Sequence, residues 1–129
     1  MNLSPLKFVP LGMLKGILFR IRRTLVRGDH PTFLLLNVTD RCNCRCTMCQ
    51  IWRKAEKSEM TLEEYERLFQ DPIWRRVRIL SLTGGEPFLR KDLKDIILSA
   101  AKHLPRLERI SLPTNGLLTS AILETTRNI

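Results

Sequence analysis

The 129-residue chain carries 22 Lys and Arg against 13 Asp and Glu, a formal net charge of +9. That length holds one small domain with its own core, and a hydrophobic content of 43% excludes a disordered chain. The basic balance admits nucleic acid, anionic lipid or an anionic substrate as partners, and equally nothing more than good solubility.

In chain order, residues 1–30 read as a segment of their own and residues 31–129 as the domain proper. Pro10 is placed to start a helix that runs to about Arg27, with Gly28 as its stop. Leu11, Leu14, Leu18, Ile21 and Leu25 share one face of it, and Arg20, Arg23 and Arg27 lie opposite. Two readings of residues 11–27 stand: an amphipathic helix resting on an anionic membrane surface, or a helix packed on the domain with its arginines in water. Lys15, Arg20, Arg22 and Arg23 interrupt this first apolar stretch and no small-residue cleavage site follows, so no secretory signal is visible. No apolar run is long enough to span a bilayer.

Phe33 to Val38 is an apolar run broken only by Asn37, and its length predicts a buried strand. A loop holding all four cysteines, Cys42, Cys44, Cys46 and Cys49, comes directly after it. A disulfide framework would scatter cysteines along the chain, so this packing reads as metal or cluster binding in a reducing compartment, the cytoplasm. Lys54 to Ser58 is polar loop. Thr61 opens a helix with a capping box to Glu64, a staple between Met60 and Tyr65, and a buried face of Leu62, Tyr65, Leu68 and Phe69; Asp71-Pro72 ends it.

Val77 to Thr83 is a second strand, stopped by Gly84-Gly85. Asp92 is placed to cap a helix whose apolar positions are Leu93, Ile96, Ile97, Ala100, Ala101 and Leu104, and Pro105 terminates it. Arg109 to Leu112 is a third strand with Pro113 to Gly116 as its exit turn, and Thr119 or Ser120 is placed to cap a last helix. Strands alternating with helices predict an α/β fold with a parallel sheet and right-handed crossovers.

The unusual residues fall at one edge of that sheet. The cysteine loop leaves the first strand, Gly84 to Pro87 leaves the second, and Thr114-Asn115-Gly116 leaves the third; in parallel sheets ligands bind at the carboxyl ends of strands. Arg90 stands near the same edge, within reach of a carboxylate. Trp74, Arg75, Arg76 and Arg78 fall before the second strand, at the opposite edge, and read as a solvated face round a half-buried Trp rather than a nucleic-acid surface. His30 and His103 read as surface or packing residues. Four thiolates could also satisfy zinc or a fully ligated electron-transfer cluster, which leaves a non-catalytic module as the alternative.

Cys42, Cys46 and Cys49 stand at Cys-x3-Cys-x2-Cys spacing. With Gly84-Gly85-Glu86-Pro87, this closely resembles the radical S-adenosylmethionine (radical SAM) enzymes. The resemblance runs from about Thr32 onward and implies a (β/α) partial barrel of six units. The sequence supplies about three of them, so it resembles the N-terminal half of such an enzyme, a truncated form.

The resemblance further implies that Cys42, Cys46 and Cys49 hold a 4Fe-4S cluster whose open iron is chelated by S-adenosylmethionine. An electron donor such as flavodoxin or ferredoxin then supports cleavage to a 5′-deoxyadenosyl radical, which takes hydrogen from a small-molecule or peptide substrate. The Gly84, Gly85, Glu86 and Pro87 motif is implied to hold the amino group of the cofactor, and Asn115 matches a Thr-Asn-Gly stretch frequent at the family's third strand. Met48 stands where the family most often has an aromatic residue and can pack beside the adenine. Cys44 is extra, either a competing ligand or turned away; the family spacing selects the other three. No residue here specifies the substrate.

Overall fold

A computed structural model describes residues 30–53 and 59–129 of the chain. The expected helix over 10–27, with its membrane reading, and the polar loop 54–58 lie outside the described residues.

Three strands, β1 (Phe33–Thr39), β2 (Ile79–Gly84) and β3 (Arg109–Ser111), make a parallel sheet in that order. Helix α1 (Leu62–Gln70) connects the first pair, α2 (Leu93–His103) the second, and α3 (Thr119–Arg127) comes after β3. Phe33 pairs with Ile79 and Ile79 with Arg109, which sets the register. The β1–β2 ladder slips between Asn37 and Thr39, so that Thr39 faces Gly84. A slip of this kind bends a strand end and re-aims the segment beyond it, here the cysteine loop.

Along β1 the side chains of Leu34 and Val38 are buried and Leu36 packs beside them. They meet Leu80 and Leu82 of β2, Tyr65 and Phe69 of α1, and Leu93, Ile96, Ile97 and Ala100 of α2. The rings of Tyr65 and Phe69 stack with centroids 6.0 Å apart. The capping box forms as the sequence predicts: the Thr61 hydroxyl accepts from Glu64 N, and the Glu64 carboxylate accepts from Thr61 N at 2.8 Å. It satisfies two of the helix's orphan donors, which explains why α1 starts where it does.

Five expectations change in detail. Phe33 and Leu35 are 52% and 57% exposed, so β1 is buried on one face only. The period-2 alternation sends them to the face opposite the helices that cover Leu34 and Val38. The first residue of α2 comes right after Asp92, yet that side chain makes no cap hydrogen bond because Arg90 has taken its carboxylate. Ala101 is exposed and Ser99 is buried in its stead. Neither Thr119 nor Ser120 caps α3, which begins at Thr119 with Leu118 ahead of it. Met60, the expected staple partner of buried Tyr65, is exposed.

At the amino edge of the sheet, Arg78 and Glu108 form a bidentate pair at 2.7 and 2.8 Å, both exposed. Such a pair contributes little to stability. Trp74 packs against the core from the same end.

Candidate functional site

Each strand ends in a segment bearing one of the three motifs; backbone hydrogen bonds tie the first two together and side chains tie in the third. Gly85 N donates to Thr39 O, and Glu86 N donates to Arg41 O, both at 2.8 Å. The Gly-Gly pair thus docks directly on the root of the cysteine loop. Gly84 has φ +139°, and a Cβ there would lie 2.2 Å from Thr39 O. A Cβ on Gly85 would lie 2.1 Å from Arg41 O and 3.0 Å from Cys42 Cβ. Those distances are far inside contact, so neither position accepts a side chain without moving backbone. The glycines bring the second loop against the first, one step before the first cysteine.

Glu86 is 0% exposed. Its Oε1 accepts from Phe88 N at 3.2 Å and from the Thr114 hydroxyl at 2.9 Å, and its Oε2 accepts from Asn115 N at 2.8 Å. A buried carboxylate must be hydrogen-bonded in this way, and here the donors come from its own turn and from the exit of β3. Pro87 is buried at the first position of the 3-10 turn Pro87–Leu89. The Asn115 side chain donates to Asn43 Oδ1 at 2.7 Å, which closes the third loop onto the first.

Cys42 and Cys44 are partly buried, and Cys46 and Cys49 are exposed; all four are free thiols. Cys44 N donates to Cys42 Sγ at 3.4 Å. Partial burial, then the sulfurs of Cys42 and Cys46 and the Glu86 carboxylate, raise the Cys44 thiol above its ordinary pKa. Trp52 Nε1 donates to Cys46 O at 3.4 Å, and the guanidinium groups of Arg45 and Arg53 lie 5.7 and 4.8 Å from its ring centroid. Met48 is 96% exposed and packs on nothing described. Among the described residues no three His, Cys, Asp or Glu side chains converge as ligands of one ion. The thiols instead spread along one open loop. That donor set fits an iron–sulfur cubane, which takes each thiolate at a separate iron.

Beneath the loop lies a network of which the sequence showed only Arg90 near the site edge, and neither of its carboxylate partners. Arg90, with a side chain 4% exposed, donates to Val38 O at 2.7 Å, to Met60 O at 2.9 Å and to both Asp92 oxygens at 2.6 and 2.9 Å. Its guanidinium sits 5.5 Å from the Tyr65 ring centroid and 3.6 Å from a Glu59 oxygen. Glu59 accepts from the Thr39 hydroxyl and from Arg41 Nε and Nη2, the latter two at 3.1 Å. Partial burial pushes the Glu59 carboxyl up, but the Thr39 and Arg41 hydrogen bonds and the nearby Arg41 and Arg90 charges hold it below the usual carboxylate range. The Arg90 hydrogen bonds, against some burial, hold Asp92 low as well. The Arg-x-Asp spacing was a faint local signal; Glu59 gave none, because its partners meet it only through the fold.

The fold and the edge define a parallel (β/α) protein with a thiol-rich loop at the carboxyl end of its first strand. The model of the radical SAM superfamily matches residues 36–128. The chain belongs to the radical SAM superfamily, whose members use a 4Fe-4S cluster and S-adenosylmethionine. It is 43% identical over 94 residues to a GTP 3′,8-cyclase of Rhizobium meliloti (strain 1021), a match covering 69% of this chain and 27% of the relative. It is 38% identical over 100 residues to molybdenum cofactor biosynthesis protein 1 of Drosophila melanogaster, covering 74% of this chain and 18% of that one. Among solved structures, BtrN in complex with AdoMet and 2-DOIA superposes with a TM-score of 0.64 at 26% identity, covering 79% of this chain and 43% of BtrN. The chain therefore spans less than half the length of each of these proteins. Among the described residues no helix is long and apolar enough to cross a membrane.

Proposed function

We propose that residues 31–129 bind a 4Fe-4S cluster through Cys42, Cys46 and Cys49 and take S-adenosylmethionine at the carboxyl edge of the sheet, as part of a radical SAM enzyme. The cofactors supply one chemistry when bound: one-electron cleavage of the sulfonium to methionine and a 5′-deoxyadenosyl radical, which removes hydrogen from a substrate.

The chain's own residues do the holding. Three thiolates on one loop leave a fourth cluster corner for an outside ligand. Gly84 and Gly85 keep the wall beside Cys42 free of side chains. Glu86, with Pro87 behind it, fixes the exit of β3 so that Asn115 stands over the loop, and Met48 offers an apolar surface for the adenine. The observation that carries this reading is the pair of backbone hydrogen bonds from Gly85 and Glu86 to Thr39 and Arg41, which brings the two motifs into contact at one edge.

The same reading takes the protein to act in the reducing cytoplasm, with an electron donor of the flavodoxin or ferredoxin kind and a small-molecule or peptide substrate. Residues 1–30 would be a separate segment, and residues 11–27 the part that could rest on anionic lipid.

Anaerobic reconstitution with iron and sulfide, then addition of reductant and S-adenosylmethionine, tests the proposal. We expect cluster uptake and formation of 5′-deoxyadenosine. Stoichiometric zinc with no cluster would refute it in favour of a non-catalytic metal module.

A further inference from the structure

Thr39 to Arg41, the root of the cysteine loop, is held from two sides. One side is the backbone of Gly85 and Glu86. The other is Glu59, which follows the cysteines in sequence. Its carboxylate takes the Thr39 hydroxyl and both Nε and Nη2 of Arg41, and the Thr39 hydroxyl oxygen accepts Arg41 N at 3.0 Å. Residues 39–41 and 59 are thus pinned together, and all four cysteines fall between them in sequence.

Behind Glu59 stands buried Arg90, whose donors are already committed to Val38 O, Met60 O and Asp92. Arg90 is therefore no binding group for a ligand. It holds the backbone at Met60 and sets where the Glu59 carboxylate sits. The network reaches the cysteines through Arg41, the residue immediately before Cys42.

An Arg–carboxylate pair as open as Arg41–Glu59 contributes little to global stability. What a two-nitrogen fork supplies is direction. Pinning Arg41 to Glu59 also removes in advance part of the ordering cost that ligand binding would otherwise carry.

We infer that Glu59 is a positioning residue for the cluster loop: through Arg41, and steadied by Arg90, it sets the direction in which Cys42 leaves β1 and so how firmly the first cluster corner is gripped. This rests on the reading of Cys42, Cys46 and Cys49 as cluster ligands.

The test uses the full chain with Glu59→Gln, Glu59→Asp, Arg41→Gln and the Glu59→Gln/Arg41→Gln double variant. Each is reconstituted anaerobically and challenged with a ferrous chelator. Glu59→Gln should lose its cluster about fivefold faster than the parent, the scale of one partly exposed charge-assisted contact. Glu59→Asp should recover most of that loss. The double variant should be no faster than either single, because both remove the same contact. The spectrum of the reduced cluster should also shift in Glu59→Gln. Parent-like chelation in Glu59→Gln, or rates that multiply in the double variant, would overturn the inference. So would a lowered thermal midpoint of the metal-free chain with no change in chelation, the mark of a purely structural role.

If the parent chain takes up no cluster, the underlying reading fails on its own. The positioning claim is then decided by hydrogen exchange of amides 41–46 in the metal-free chain. Acceleration of about fivefold in Glu59→Gln supports it, and unchanged exchange rejects it.

Discussion

Replacing Gly85 by Ala tests the contact on which the site is built. The added methyl would lie 2.1 Å from Arg41 O, 2.6 Å from Arg41 C and 3.0 Å from Cys42 Cβ. Two of these atoms are backbone, so no rotamer change relieves the clash and the root of the cysteine loop must move away. Overpacking of this kind costs about 1–3 kcal/mol. The displacement also breaks the Gly85–Thr39 and Glu86–Arg41 hydrogen bonds, at about 0.5–1.5 kcal/mol each. The sum is about 2–6 kcal/mol. For a domain of this size the midpoint of thermal unfolding should fall by about 10 °C or more. Gly116→Ala is the control: it meets open space at φ +78°, so it carries only the left-handed penalty of about 1 kcal/mol. Circular dichroism melts of the metal-free chains and iron content after reconstitution give the two readouts. Gly85→Ala should lose both stability and cluster uptake, and Gly116→Ala should keep uptake. A Gly85→Ala chain that melts with Gly116→Ala and loads iron normally would show that the docking of these two loops was misjudged.

Two further outcomes are expected. Cys46→Ala should abolish cluster assembly while Cys44→Ala leaves it nearly intact, measured as iron and sulfide per chain; equal losses would mean the ligand set is wrong. Glu59 and Asp92 both sit below the usual carboxylate range in the folded chain. Their contribution is therefore complete above the unfolded carboxylate pKa of about 4 and is lost as pH falls through the lower folded values. Urea midpoints should fall across that acid window, and Asp92→Asn should flatten the fall; an acid limb identical in Asp92→Asn would remove Arg90–Asp92 as its source.

What could be read from the residues alone was whatever local signals decide. Thr61 and Glu64 are three positions apart on one turn, so their capping box was visible, and so was the strand and helix order. Asp92 looked equally like a cap, but Arg90 competes for its carboxylate with a bidentate hydrogen bond. Burial of both faces of β1 was overestimated because an apolar run does not say which faces will be covered. At the site, the motifs and their common edge were legible. The manner of their joining was not: Gly85 spares room for Arg41 rather than for open space, and Glu86 spends its carboxylate on Phe88, Thr114 and Asn115. Glu59 was invisible because its partners stand 18 and more positions away in sequence.

The strand order carries a consequence for how the molecule is made. Among the described residues no strand pairs with a neighbour through a tight hairpin: Phe33 waits for Ile79, and Ile79 for Arg109. A ribosome must release the whole of β2 before β1 can form this ladder. Early on, α1 has local support from its capping box, but nine residues are too few for a helix to persist in water before it packs. Assembly of the sheet then sets the pace, on the slow side for a chain this short. The thiol loop is therefore synthesised, and open to iron or oxidants, well before the wall that frames it exists.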